Sequence, residues 1–323
     1  MRDVDSIISD LQPTLASLEP ERLAYKRKSK VFFLIAGGVC VLLLLTGLAT
    51  EMLFPFVIGT VFAGVIATIA FSFTIGKGKT RYVNKFKSVV IPRVLELISP
   101  DLQFDPHQGI NEGTFRHSEL FSTGPDRYST EDLVRGTYDK TQITLAEIDA
   151  EERRTRTSNG KRETYYVTIF RGLLLIADFH KHFHGRTFVF PDTAENLFGR
   201  LGRGLQKLGG RSGTRLIQLE DPEFEKSFAI YSNDEVECRY ILSTAMMRRL
   251  LDMRNRFGEK DIRVAFKDSC VWIAIPFSKQ FLEPRIGVPA TESGQVRHML
   301  NQLQAILVIV DELNLNTRIW TKE

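Results

Sequence analysis

The feature that most constrains this chain is a pair of uncharged apolar runs near its start. Residues 31–50 read VFFLIAGGVCVLLLLTGLAT and residues 52–76 read MLFPFVIGTVFAGVIATIAFSFTIG, with only Glu51 between them. A helix needs about 20 such residues to cross the hydrocarbon core of a bilayer, and a buried soluble helix rarely runs so far without a charge. The two runs therefore predict two transmembrane helices folded as a hairpin. A signal peptide does not fit the first run. Its apolar stretch begins about 30 residues into the chain, exceeds an ordinary h-region and is followed at once by a second span.

The flanks orient the hairpin. Lys26, Arg27, Lys28 and Lys30 precede the first run, and Lys77, Lys79, Arg81, Lys85 and Lys87 follow the second, whereas the loop between them offers one glutamate and no base. Basic flanks stay cytoplasmic. Both termini are thus expected in the cytoplasm, with residues 1–30 a short helical segment, 31–76 the hairpin and 77–323 a cytoplasmic domain. The lysines after the second run would also be drawn to anionic headgroups. Within that run Gly59, Ala63 and Ala67 recur every four residues, a small-residue stripe that lets another helix approach closely. Its expected partners are the first run (with Gly37, Gly38 and Gly47), a second copy, or another membrane protein. No ionisable residue lies in either run, which argues against an ion pathway.

Apolar and charged fractions of 43% and 25% are those of a globular protein, so the rest of the chain should fold. Helices are expected over about residues 4–11, from Pro20 into the membrane, and from Tyr82 to Leu97 with an interruption at Pro92. Residues 101–132 carry Pro106, Gly109, Gly113 and Pro125 and read as loops with short elements. Strands follow: 143–149, then a hairpin about Ser158-Asn159-Gly160, then 165–170, 173–179 and 187–190, an antiparallel sheet in sequence order. Residues 194–208 look helical and 215–219 look like a short strand. Asp221-Pro222 and the Ser232–Glu237 stretch are helix starts, the second opening a helix with Val236, Tyr240, Met247, Leu250 and Leu251 inward. Ile262, Val264 and Phe266 alternate, Lys267-Asp268-Ser269 turns, and 270–275 pairs back. Val296, Leu300, Leu303, Leu307 and Val310 mark an amphipathic helix. The fold class is α+β: a two-helix hairpin, then an antiparallel sheet with amphipathic helices.

Three stretches invite chemistry. In DFHKHFHGRTFVFPD (178–192), His180, His182 and His184 alternate with Phe179 and Phe183, as a half-buried strand would. At about 3.3 Å per residue, His180 and His184 stand about 13 Å apart. With zinc–nitrogen bonds of about 2.1 Å, all three cannot ligate one ion without a bend; a neighbouring pair could, with ligands from elsewhere. The second stretch, 198–215, gathers Arg200, Arg203, Lys207, Arg211 and Arg215 among glycines but lacks the order of a phosphate-binding loop. It reads as a solvated helix end or as a basic patch for phosphates, on lipid rather than nucleic acid. A net charge of only +4 and the want of interleaved aromatics speak against nucleic acid. The third, 219–240, is rich in carboxylates placed where helix caps and first turns use them, and Glu237 and Arg239 are expected to pair across the domain. Cys238 has no histidine near it in sequence, and the three widely spaced cysteines (Cys40, Cys238, Cys270) form neither a disulfide framework nor a zinc knuckle. No cofactor is expected.

The hairpin, DFHKHFHGRTFVFPD and LEDPEFEKSFAIYSNDEVECRYILSTAMMRRL together resemble a bacterial membrane-anchored family known as domain-of-unknown-function family 3137. The resemblance implies no catalytic residue and no cofactor. It implies alanine as the usual residue at the place of Cys238, and other polar residues at His180 and His184. It also suggests a small LemA-like membrane protein as a partner. The reading is a bacterial inner-membrane protein acting as an interaction or scaffold module. An anionic-lipid sensor using Lys77–Lys87 and Arg200–Arg215, and a tethered metal-dependent enzyme using the histidines, are the alternatives.

Overall fold

A computed structural model describes residues 4–50, 53–158, 161–179, 183–192, 213–258, 261–277 and 281–313. The chain forms two compact units, residues 1–94 with 282–300 and residues 95–281 with 301–323.

In the first unit one helix, α1 (Val4–Ala49), replaces the two expected before the end of the first apolar run. Each of Pro13 and Pro20 removes an N–H and crowds the carbonyl four residues back. The helix continues because Ile8, Leu11, Leu15, Leu18 and Arg22 bury one stripe at three- and four-residue spacing across both prolines. After α2 (Leu53–Thr74), only Ile75 intervenes before α3 (Gly76–Ile98), which runs on through Pro92 instead of breaking there. A double row on α3, Tyr82/Val83, Phe86/Lys87, Val90/Ile91, is buried.

Contacts fix the pairing of these helices as antiparallel. A Cβ on Gly47 would stand 2.7 Å from Phe56, so α1 and α2 approach closely there. The Phe32 and Phe33 rings lie 5.4 and 4.9 Å from that of Phe71. Farther along, Glu21 accepts from Lys85 at 2.5 Å. Gly59, Ala63 and Ala67 lie on the half-buried side of α2, the side of Phe56 and Phe71. The outer sides are bare hydrocarbon, with Leu48 68%, Phe54 78% and Phe62 64% exposed. Both helices are long and apolar enough to cross a membrane by length and composition.

The segment 282–292 belongs to this unit and is tied to α1. Arg22, buried on the α1 stripe, forks onto Glu19 at 2.5 and 2.9 Å and donates to the Ile286 carbonyl at 2.9 Å. Glu19 also accepts from the Ala290 amide at 2.7 Å, and Gln12 donates to the Thr291 carbonyl.

The second unit is built on a nine-stranded sheet in the order β1-β2-β3-β4-β9-β8-β5-β7-β6. Its strands are Leu102–Asp105, Arg127–Tyr138, Thr141–Ser158, Lys161–Asp178, Thr187–Pro191, Arg215–Ile217, Phe228–Ser232, Arg263–Lys267 and Cys270–Pro276. Every described pairing is antiparallel. Sequence order holds only through β4. The β8–β9 hairpin, turning on Asp268 and Ser269 at positive φ, inserts beside β4, so β5 neighbours β7 and β8 instead. β3 and β4 extend beyond the expected 143–149 and 165–170 and pair out to Ser158↔Lys161. Gly172 is required on β4, since its φ of +155° is open to glycine and a Cβ would overlap the Ile275 carbonyl.

Both sheet faces are covered, so central strands bury alternate residues on each side. Trp272 and Ala274 join Phe115, Phe170 and Phe188 in one core, while Val271, Ile273 and Ile275 are buried on the opposite side. That explains the unbroken apolar runs of β4 and β9. The helices are α4 (Glu112–His117), α5 (Pro222–Glu225), α6 (Glu235–Ile241), α7 (Thr244–Phe257) and α8 (Ser293–Glu312). The single helix expected from Glu235 onward breaks at Leu242, and Ser243 caps α7. On α6 it is Cys238 and Ile241 that point inward; Val236 is 81% and Tyr240 49% exposed, against expectation. Burial on α8 is as the periodicity predicts, from Val296 to Val310.

Candidate functional site

Among the described residues of the histidine stretch, Phe179, Phe183 and His184 lie outside any strand, whereas the expected strand at 187–190 forms as β5. β4 ends at Asp178, and the Phe179 amide donates to the Ser269 carbonyl. Phe179 and Phe183 are buried as the alternation predicts, with rings 5.9 Å apart. His180 and His182 lie outside the described residues. His184 is exposed. Among the described residues no group of three or more His, Cys, Asp or Glu is placed to hold a metal.

What this motif meets instead is the acidic one. Asp234 caps α6 by accepting from the Glu237 amide, and the Asp234 amide is itself taken by Ser232 Oγ, so the Glu237 carboxylate is not needed for the cap. That carboxylate accepts the backbone N–H of His184 at 2.8 Å and of Gly185 at 2.5 Å. Two backbone donors on one carboxylate make a charge-assisted clamp. Asn233 accepts the next amide, that of Arg186, at 2.6 Å. A Cβ at Gly185 would stand 2.5 Å from Glu237 Oε2 and 3.0 Å from Asn233 Oδ1, so a side chain there would push the clamp's acceptor oxygens aside.

From this clamp the Arg186 side chain reaches Glu119, donating to its two oxygens at 3.1 and 3.2 Å. Glu119, at φ +55°, also receives Lys267 at 2.7 Å. Lys267 is 1% exposed and donates to the His117 carbonyl as well, at 2.5 Å. His117 Nε2 lies 2.8 Å from Asp268. The result is an ionic network of Glu119, Arg186 and Lys267 with the His117–Asp268 pair at its rim. Glu119, Arg186 and Lys267 are not legible in the sequence as a group; Lys267 reads there as a turn residue.

Asp221 caps α5 as expected, accepting from Glu223 and Phe224 amides. Arg239 is held by Glu235 and the Gln218 carbonyl. Burial pushes the Cys238 thiol up to about 11, so it is held as the inert thiol rather than a nucleophilic thiolate.

The expected anion-binding residues divide. Arg200, Arg203, Lys207 and Arg211 lie outside the described residues, and Arg215 is on β6, paired with Glu235 at 2.8 Å. Lys77, Lys79, Arg81 and Lys85 are exposed on α3. Lys87 is buried, and its ammonium meets Glu283 at 2.6 Å, so this lysine holds the 282–292 segment.

These observations define an antiparallel α+β domain with a motif-to-motif clamp, in a chain that opens with two exposed apolar helices. Residues 168–315, a little under half of the chain, match the family model described as protein of unknown function (DUF3137). For this stretch the family that the two motifs resemble is thereby shown. No curated protein and no solved structure matches the chain.

Proposed function

We propose that this chain is a bacterial inner-membrane protein. In this reading α1 and α2 cross the bilayer, both termini are cytoplasmic, and the α+β region acts as an interaction module. The observation that carries this reading is the bare apolar outer face of the paired helices, bounded at one end by Lys26, Arg27, Lys28 and Lys30 on α1 and by Lys77, Lys79 and Arg81 on α3. Continuous apolar surface on that scale marks contact with lipid, and the one-sided bases set the orientation. The module reading is supported by where the motif side chains go: Glu237, Asn233 and Arg186 serve their own domain's backbone and Glu119. A second membrane protein, for which the family resemblance offers a LemA-like one, or a second copy is the partner.

The test starts from a chain with its native cysteines replaced. Thr50→Cys should react with an impermeant maleimide from outside intact cells, and Ser88→Cys only after permeabilisation. The protein should also resist alkaline carbonate. Release by carbonate, or labelling of both positions from the same side, overturns the anchor. Purification in mild detergent should give a complex of fixed stoichiometry; a monomer without a partner speaks against the module.

A further inference from the structure

Where α1 and α3 leave the apolar runs, the two helices part around a groove of about 240 Å³. Glu21, Ala24, Tyr25 and Lys28 line it from α1, one helical face at three- and four-residue spacing. Ile75, Gly78 and Arg81 line it from the other side, every third residue. Gly78 opens the groove: a Cβ there would already touch the Tyr25 ring at 3.5 Å, and a larger side chain would fill the space. The floor is apolar at the buried Ile75, and Lys28 and Arg81 stand exposed at the mouth. Glu21, the carboxylate of the groove, is taken by Lys85 at 2.5 Å, so the two mouth cations are not neutralised by it. Lys28 lies three positions before the first apolar run, and Ile75 is next to last in the second.

We propose that this groove binds a phosphate group carried on an anionic phospholipid, its oxygens between Lys28 and Arg81 and its glycerol region against Tyr25 and Ile75. The proposal rests on the membrane anchoring above. A basic pocket between spans at the cytoplasmic boundary is the setting in which anionic headgroups are held. An arginine adds a planar fork of donors suited to phosphate oxygens. Tyr25 supplies an amphipathic ring at headgroup level. Lys85 and Lys87, though part of the same basic run, are committed to Glu21 and Glu283, and Lys26 donates to the Gly287 carbonyl.

The experiment uses the full chain in detergent, with dioctanoyl phosphatidylglycerol and dioctanoyl phosphatidylcholine as probes and native mass spectrometry as readout. Wild type should retain phosphatidylglycerol in preference to phosphatidylcholine. Lys28→Ala with Arg81→Ala should weaken retention about 30-fold, the strength of two cations near an anionic surface. Gly78→Leu should weaken it with the charge unchanged, whereas Lys77→Ala with Lys79→Ala should leave it within about twofold. Equal retention of the two lipids, or equal loss on removing Lys77 and Lys79, overturns the site. Displacement of the lipid by equimolar inorganic phosphate overturns the lipid as carrier. Carbonate extraction of the membranes from which the protein is purified keeps the outcomes apart: release defeats the anchor, whereas a retained protein without Lys28- and Arg81-dependent selectivity defeats the groove alone.

Discussion

At the scale of single residues, the second unit turns on side chains whose partners are far away in sequence. The Glu237 carboxylate satisfies two amides in the loop before β5. A fully buried donor left without its acceptor costs about 1–3 kcal/mol; the Gly185 amide is part-buried and the His184 amide exposed, so Gly185→Ala, which brings a methyl against Oε2, should destabilise the protein by about 1 kcal/mol, the low end of that range. Glu237→Gln, which keeps one acceptor oxygen, should cost about 1–2 kcal/mol. Because both changes strike one contact, the double variant should fall short of their sum, measured by thermal unfolding of the four members of the cycle. Additive losses would mean that the clamp is not what holds this loop. The caps at Asp221 and Asp234 were readable because capping is a local pattern over three residues. Lys267 was not. KDS reads as a turn from its composition, and the residue that makes burial of that ammonium tolerable, Glu119, is 148 positions away. The alternation of Phe179 and Phe183 likewise gave their burial correctly while suggesting a strand that ends at Asp178.

At the scale of elements, periodicity proved a better guide than punctuation. Pro20 reads as a helix start and Pro92 as an interruption, yet α1 and α3 pass through them, because the buried stripes of Ile8, Leu11, Leu15 and Leu18 on α1 and of Phe86, Val90 and Val94 on α3 outweigh a local loss of one hydrogen bond. What the sequence could not show is the strap tied to α1, residues 282–292, since these ties span more than 260 positions. Those ties are pH-sensitive. Hydrogen bonding from Arg22, followed by that of the Ala290 amide and opposed by burial, holds the Glu19 carboxyl below its ordinary value of 4.5. A carboxylate with a depressed folded-state pKa contributes stability that is complete above its unfolded pKa and is lost as pH falls through the folded one. Amide exchange over residues 286–292, followed by mass spectrometry of the whole chain, should therefore be flat in protection from pH 7 to about 5 and lose protection below about 4.5. In Glu19→Gln the protection should be lower at pH 7 and should not fall further through that window. A wild type indifferent to acid would show that Glu19 does not hold the strap.

At the scale of the whole molecule, the compact units do not follow the bounds of the apolar runs. Residues 77–94 of α3 share a unit with α1 and with 282–300, so a cut at the end of the second apolar run divides a core rather than freeing a domain. Leu11, Leu15 and Leu18 of α1 are buried in that unit, as are Tyr82, Phe86 and Val90 of α3. Burying one such side chain is worth about 1.5–3 kcal/mol, so a chain starting at residue 77 lacks several such contributions and exposes an apolar face. The apolar hairpin itself contributes little to that core: its outer surfaces are bare, and the packing of Gly47 against Phe56 lies at the far end. The first half of α1 should therefore be separable from its apolar half. Replacing residues 31–75 by a short Gly/Ser link from Lys30 to Gly76 leaves the antiparallel pair of Glu21–Lys85 and Tyr25–Gly78 intact. A link of a few residues joins antiparallel neighbours. The linked protein should stay monodisperse without detergent and protect the amides of 82–94 and 286–292. The chain beginning at residue 77 should lose protection in both segments, bind an apolar dye and aggregate. Equal protection in the two would make residues 4–30 a passive leader; the predicted difference makes them part of the fold, with the apolar hairpin inserted as a loop into a unit that closes without it.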